Sequence, residues 1–290
     1  MRKWLTFLAV ACAFACTASM PSRADAWGKQ GPEIAGRIAD KHLDEKARAA
    51  IAELLKGDQF QSLSDGPLNS WADAIRSSAA FRRKYPRMAE WHYINIDVAA
   101  DPEKLDIDKY RDGGENVIDA IKRLQVVLKD KTKPLQDRRE ALFFICHFVE
   151  DLHQPLHCVD REKDRGGNLV RVRLPDGREY NLHAVWDTPL VEVAMGPFTA
   201  ADHAGRLTNA LTAERRKEMQ KGTVEDWVVE GYKIARAKVY TDKGAALPGP
   251  GGARHTLSQD YVPESAAVVE GRLTRAGLRL AQFLNNTFKD

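Results

Sequence analysis

The run Ala141-Leu142-Phe143-Phe144-Ile145-Cys146-His147-Phe148-Val149-Glu150-Asp151-Leu152-His153-Gln154-Pro155-Leu156-His157 carries apolar side chains around nearly its whole circumference as far as Val149. The helix that its spacing predicts over 135–152 is therefore buried. His147 and Asp151, four residues apart, leave that helix on one face and within reach of a single ion. An exposed ion pair has the same spacing, but here both groups are enclosed. A buried imidazole and carboxylate are costly unless something strong engages them. A divalent cation is one such partner and a closed polar network is the other.

The same chemistry recurs on either side. His157 follows where the chain leaves the helix at Gln154-Pro155, and His183 and Asp187 repeat the four-residue spacing further on. Upstream, Asp73 sits in Trp71-Ala72-Asp73-Ala74-Ile75-Arg76 and His92 in Trp91-His92-Tyr93-Ile94-Asn95. Seven of the eight histidines lie beyond residue 90, so imidazole is concentrated where these carboxylates fall. Nitrogen and oxygen donors that need no cysteine suit Zn²⁺, and an open position on such an ion generates hydrolytic water near neutral pH. Arg76, three residues past Asp73 on one helix face, is placed to meet an anionic substrate.

Helical periodicity dominates the rest of the chain. Helices are expected over 32–41, 43–56 (starting near Asp44 and stopped by Gly57), 69–78, 114–130, 200–220, 223–240 and 263–286. One β-hairpin is expected, Val170–Leu174 returning through Pro175-Asp176-Gly177 as Arg178–Leu182. Residues 244–253 are too rich in Gly and Pro for an element. The fold class is all-α, with one domain over 27–290. Trp71, Trp91, Trp186 and Trp227 are assigned to packing.

The chain's 290 residues carry 44 Lys plus Arg against 41 Asp plus Glu, too even a balance to hold nucleic acid by charge alone. Much of the excess belongs to a leader: Arg2 and Lys3, an apolar run from Trp4 to Ala15, and Ala24-Asp25-Ala26 before a cut read as a secretory signal over 1–26. Trp27 is then the mature N-terminus and the product is secreted or periplasmic, with no membrane insertion. A lipoprotein cut before Cys12 would have only Ala9-Val10-Ala11 as a poor lipobox. Cys12 and Cys16 leave with the leader, and Cys146 and Cys158 fit one disulfide or two buried thiols.

The order Trp-Gly at the mature start, Trp-Ala-Asp, Trp-His-Tyr-Ile-Asn, His-Phe-Val-Glu-Asp-Leu-His-Gln-Pro-Leu-His, Gly-Gly-Asn and Asn-Leu-His-Ala-Val-Trp-Asp resembles the zinc-dependent single-strand nucleases of the S-one/P-one type. Their fold is allied to that of bacterial zinc phospholipase C. The resemblance spans nearly the whole mature chain and implies up to three Zn²⁺. Asp73, His92, His147 and Asp151 would hold the first, and His157, His183 and Asp187 the second. The amine and carbonyl of Trp27, with Asp151 as a bridge, would hold the third. It implies cleavage of single-stranded DNA and RNA to 5′-phosphorylated products, with 3′-nucleotides as further substrates. Asp73, Asp151 and Arg76 would be catalytic, Arg76, Tyr93 and Asn95 would contact substrate, and the enzyme would act as a monomer.

One position departs from the pattern. The family's Trp-Gly-x-x-Gly-His reads here Trp27-Gly28-Lys29-Gln30-Gly31-Pro32, and proline has no side-chain donor. The third zinc is then weakly held, completed by water, or rescued by a group elsewhere; His42, His203 and His255 are spare imidazoles. His153 is expected to support the ligands from behind. A lipid phosphodiesterase on a related scaffold and a catalytically impaired metal-binding homologue stand as the alternatives.

Overall fold

The computed structural model describes residues 27–289, so the leader expected over 1–26, with Cys12 and Cys16, lies outside the described residues. Helices dominate. α1 (Gln30–Lys41) and α2 (Glu45–Leu55) precede three short helices, α3 (Gly66–Asn69), α4 (Trp71–Ala74) and α5 (Ala79–Lys84). Next come α6 (Val117–Lys129) and α7 (Leu135–Asp151), then α8 (Leu182–Asp187), α9 (Pro189–Met195), α10 (Ala200–Asn209), α11 (Ala213–Gln220), α12 (Val224–Ile234) and α13 (Tyr261–Thr287).

Side-chain caps set several starts. The Asp44 carboxylate accepts from the Ala47 N–H at the head of α2, and the Asn116 side chain accepts from Ile118 and Asp119 at the head of α6. Thr223 and Asp226 form a reciprocal capping box on α12. Each such cap satisfies main-chain donors that a helix start leaves unpaired, contributing about 1 kcal/mol.

α7 is the axis of the molecule. Every residue from Glu140 to Asp151 is buried, because α6, α1 to α4 and α13 all pack on it. Trp71 meets Phe143 and Phe144 edge-on with ring centres 5.2 Å apart, and Trp91 meets Phe144 at 5.9 Å. These contacts press α4 and the 90–92 turn against α7, which brings Asp73 and His92 beside His147. Behind α7, α13 lies so close to α1 that a Cβ on Gly277 would come within 2.5 Å of Ile38 Cβ.

The strands are short and each pairing joins distant segments. β1 (Ile96–Asp97) runs parallel to β2 (Val159–Asp160), with Ile96 opposite Val159. Just before that pair the Ile94 N–H donates to the His157 carbonyl at 2.9 Å, which ties the His92 and His157 segments together. β3 (Arg171–Arg173) and β4 (Glu179–Asn181) form the expected hairpin, Val172 opposite Tyr180. β5 (Thr241–Asp242) pairs with β6 (Ala245–Ala246), so the stretch expected to be loop from 244 carries one short strand. β7 (His255–Thr256) adds to β3 in parallel.

Some expected helices are broken. The segment 69–78 is α4 followed by a 3₁₀ turn, Ile75–Ser77. The helix expected over 200–220 divides at 210–212, where Thr212 caps α11 by accepting from the Arg215 N–H. The helix expected over 223–240 ends at Ile234 and continues as a π-turn, Ala235–Val239. Cys146 and Cys158 are free, buried thiols. Among the described residues no helix is long and apolar enough to cross a membrane.

Candidate metal centre

On α7, His147 Nε2 lies 3.1 Å from Asp151 Oδ2. α4 brings Asp73 to the same point, its Oδ2 3.6 Å from His147 Nε2 and its Oδ1 3.5 Å from His92 Nε2. Asp73, His92 and His147 thus offer ligand atoms all within 4.8 Å of one another, and so do His157, His183 and Asp187. In the second group His157 Nε2 and His183 Nε2 are 3.2 Å apart and Asp187 Oδ2 is 3.3 Å from His183 Nε2. Asp151 lies between the two, because its other oxygen, Oδ1, is 3.7 Å from His157 Nδ1.

Main-chain carbonyls aim the rings. His147 Nδ1 donates to Asn69 O at 2.8 Å, His92 Nδ1 to Met88 O at 2.8 Å and His183 Nδ1 to Gly166 O at 2.7 Å. A carbonyl can only accept, so each neutral ring carries its proton on Nδ1 and turns the Nε2 lone pair to the cluster. Gly166 is required at its position: φ is +60° and a Cβ would stand 2.5 Å from Leu156 O. Asn69 is pinned in turn by its Nδ2, which donates to Leu63 O at 2.8 Å. Gln154 Nε2 and the Trp27 main-chain N–H donate to Asp187 Oδ1 at 2.9 and 3.3 Å.

Two observations test these residues against a cation. First, His92 Nε2 and Asp187 Oδ2 are buried without a hydrogen-bond partner, and His147 Nε2 and Asp151 Oδ2 are buried facing only each other, a costly state that an ion relieves. Second, bonds of 2.0–2.2 Å to a tetrahedral zinc put its ligand atoms about 3.3–3.6 Å apart. The separations above, 3.2 Å between the facing rings and 3.1 to 3.7 Å between ring and carboxylate, lie on or near that edge length. The donor set fits.

The electrostatics ask for positive charge. Burial pulls the His147 imidazole down, yet the carboxylates of Asp151 and Asp73 outweigh it and hold the ring protonated up to about 9. Burial pushes Asp73 up, but His147, His92 and Arg76 together bring it to about 2. Asp151 is pushed up to about 6 by burial, against the pull of His147. Burial, then His147, keeps His92 neutral down to about 3, and burial with His183 lowers His157 in the same direction. His92 and His157 are thus already in the neutral state that binds metal, whereas His147 gives up its proton to do so.

The other expected residues fall as follows. Arg76 Nη1 donates to Asp73 Oδ1 at 3.0 Å, with its side chain 37% exposed, so it reaches from Asp73 towards solvent. Tyr93 and Asn95 line a cleft of about 340 Å³ with Glu90, Lys109, Tyr110 and Asn116. Trp27 is fully buried and Pro32 occupies the first turn of α1. His153 corrects an expectation: its Nε2 is 3.2 Å from Arg279 Nη1 and its ring lies by Trp227, away from the ligands. His203 faces Glu270 at 3.7 Å and His255 faces Asp242 at 2.9 Å. Asn69, Met88 and Gly166 escaped sequence reading because they act through carbonyls, which every residue has. Gln154 carried a signal, a polar side chain among the ligand motifs.

A helical frame with two adjoining imidazole and carboxylate groups is the build of a metal-dependent hydrolase. The chain belongs to the S1/P1 nuclease family, whose profile matches residues 27–289. It is 32% identical over 274 residues to Endonuclease 2 of Arabidopsis thaliana, covering 90% of each chain. It is 28% identical over 285 residues to Nuclease S1 of Aspergillus oryzae, covering 93% of this chain and 95% of that protein. To Nuclease P1 of Penicillium citrinum it is 29% identical over 273 residues, covering 89% and 97%. The protein is accordingly a hydrolase of phosphodiester bonds.

Proposed function

We propose that this protein is an exported, zinc-dependent endonuclease that cuts single-stranded DNA and RNA to 5′-phosphorylated products and also dephosphorylates 3′-nucleotides. What carries the reading is the pair of adjoining buried groups, Asp73, His92 and His147 with Asp151 3.1 Å from His147, and His157, His183 and Asp187, each with ligand atoms converging within 4.8 Å. Asp73, His92, His147 and Asp151 would hold one ion, and His157, His183 and Asp187 another. Bound zinc supplies Lewis acidity, polarising a phosphoryl oxygen and lowering the pKa of water.

The chain's own groups do the rest. Arg76, braced on Asp73, presents its free guanidinium edge to a phosphate, where charge-assisted bonds strengthen as negative charge builds. Tyr93 offers a ring face and Asn95 an amide in the cleft that follows His92 in the chain. Bases free of a duplex have faces to stack there, which favours single strands. Signal cleavage after Ala26 frees the Trp27 amine beside Asp187. The large exposed apolar residues Val126, Leu135, Leu169, Val193 and Phe198 are spread over separate elements, which offers a lipid phosphodiesterase little support.

The test supplies zinc-loaded protein with single-stranded DNA, the same DNA as duplex, RNA, a 3′-nucleotide and a lecithin analogue. Rapid release of 5′-phosphorylated fragments from single strands, abolished by chelation and restored by zinc, is the expected result. Hydrolysis of the lecithin analogue alone, or of none, contradicts the reading.

A further inference from the structure

We propose that the Glu150 carboxylate is a metal ligand of this centre, supplied from α7 to the place beside Trp27 where Pro32 brings no donor. The inference rests on the zinc-centre reading above. Trp27 is fastened through both of its nitrogens: the main-chain N lies 3.3 Å from Asp187 Oδ1 and the indole Nε1 donates to the Glu150 carbonyl at 3.1 Å. It therefore spans from one ligand of the second group to the residue before the shared Asp151. Gly31 donates to Trp27 O at 3.2 Å, and a Cβ on Gly31 would stand 2.5 Å from Trp27 Cβ. The chain thus doubles back on Trp27 and delivers residue 32 next to it, buried.

Glu150 is 1% exposed, and neither Oε1 nor Oε2 has a hydrogen-bond partner. It lies three residues after His147, on an adjoining row of the same helix. A carboxylate so enclosed is strongly disfavoured unless it gives up its charge or meets a cation. The buried arginines near this end of α7 do not serve it: Arg272 and Arg279 approach Glu230 at 3.1 and 2.7 Å. Orphaned atoms of His92 and Asp187 belong to the centre itself, and Glu150, next to Asp151 in the chain and with its carbonyl on the Trp27 indole, adds two more in the adjoining residue. Oxygen from a carboxylate is as ordinary a zinc ligand as imidazole nitrogen.

The measurement is zinc content by elemental analysis on processed protein beginning at Trp27, after a chelating resin, together with melting temperature with and without metal. Glu150→Gln keeps the shape and removes the ligand, so it should hold one zinc equivalent fewer than wild type. Metal-free, it should melt no lower than wild type, while zinc should raise its melting temperature less. Adding Pro32→His to Glu150→Gln should restore the lost equivalent, and failure to do so overturns the placement beside Trp27. Equal zinc content in wild type and Glu150→Gln overturns the proposal and leaves Glu150 a buried neutral acid. Wild-type protein with no firmly held zinc instead removes the zinc-centre reading on which the proposal stands.

Discussion

Replacing Asp151 with asparagine preserves the shape of a 1% exposed side chain while removing one negative charge from between two imidazole groups. With Oδ2 3.1 Å from His147 Nε2, the carboxylate serves the group of Asp73, His92 and His147, and that group loses affinity. Altering a residue that merely supports a ligand costs about 10–100-fold in metal affinity, so losing a direct ligand should cost about 100-fold or more at that group. At excess zinc, a 100-fold step removes about 2.7 kcal/mol of metal-linked stability. The metal-free protein should change less, because it gives up the contact with His147 but also sheds a carboxylate that burial disfavours and pushes up to about 6. Loss of aligned ions should lower the turnover of single-stranded DNA about 1,000-fold, equivalent to about 4 kcal/mol. Denaturant titration with and without zinc reads the first quantity and hydrolysis the second. Asp164→Asn is the control, since that buried carboxylate bonds Tyr240 Oη at 3.2 Å outside the site and should cost stability with zinc retained. If Asp151→Asn keeps its zinc, or weakens both forms equally, the carboxylate is a packing residue and the reasoning fails.

Arg76→Ala should leave zinc content unchanged and lower kcat/KM about 10–100-fold, the worth of a hydrogen bond to a charged group; loss of zinc would show instead that Arg76 acts through Asp73. Gly166→Ala, which drives a Cβ against Leu156 O, should cost about 2 kcal/mol and weaken zinc at the His183 group, read by melting and metal titration. His92→Gln probes protonation in metal-free protein. The buried ring stays neutral down to about 3, whereas in the unfolded chain it takes a proton near 6.5, so wild-type stability is lost as pH falls below 6.5. Relative to His92→Gln, wild type should lose about 1.4 kcal/mol per pH unit between 6.5 and 4.5. A pH-independent difference in urea titrations contradicts the burial of a neutral imidazole there.

The sequence exposed the parts of the centre that share one helix. His147 and Asp151 were legible because a period of 3.6 puts residues four apart on one face, and the apolar run around them announced burial. Asp73 and His92 join them only through tertiary packing, by the Trp71 and Trp91 contacts on α7, and their place in the ligand set came from resemblance. The carbonyls of Asn69, Met88 and Gly166 leave no trace in composition. Short elements escaped for a related reason: α5, α8 and α9 are too brief for a period to emerge, and Pro189 divides the last two. The expected helix over 200–220 loses its apolar rhythm in the charged run Glu214-Arg215-Arg216-Lys217-Glu218, and the Thr212 cap marks where a second helix begins. β7 is two residues of a strand that exists because β3 was already there.

Anomalous X-ray scattering at the zinc edge, on crystals of the processed protein, asks the central question directly. Zinc peaks within bonding distance of Asp73, His92, His147 and Asp151, and of His157, His183 and Asp187, are the predicted result. Crystals grown with zinc that show no anomalous density among these side chains, or show it at other residues, would contradict the account.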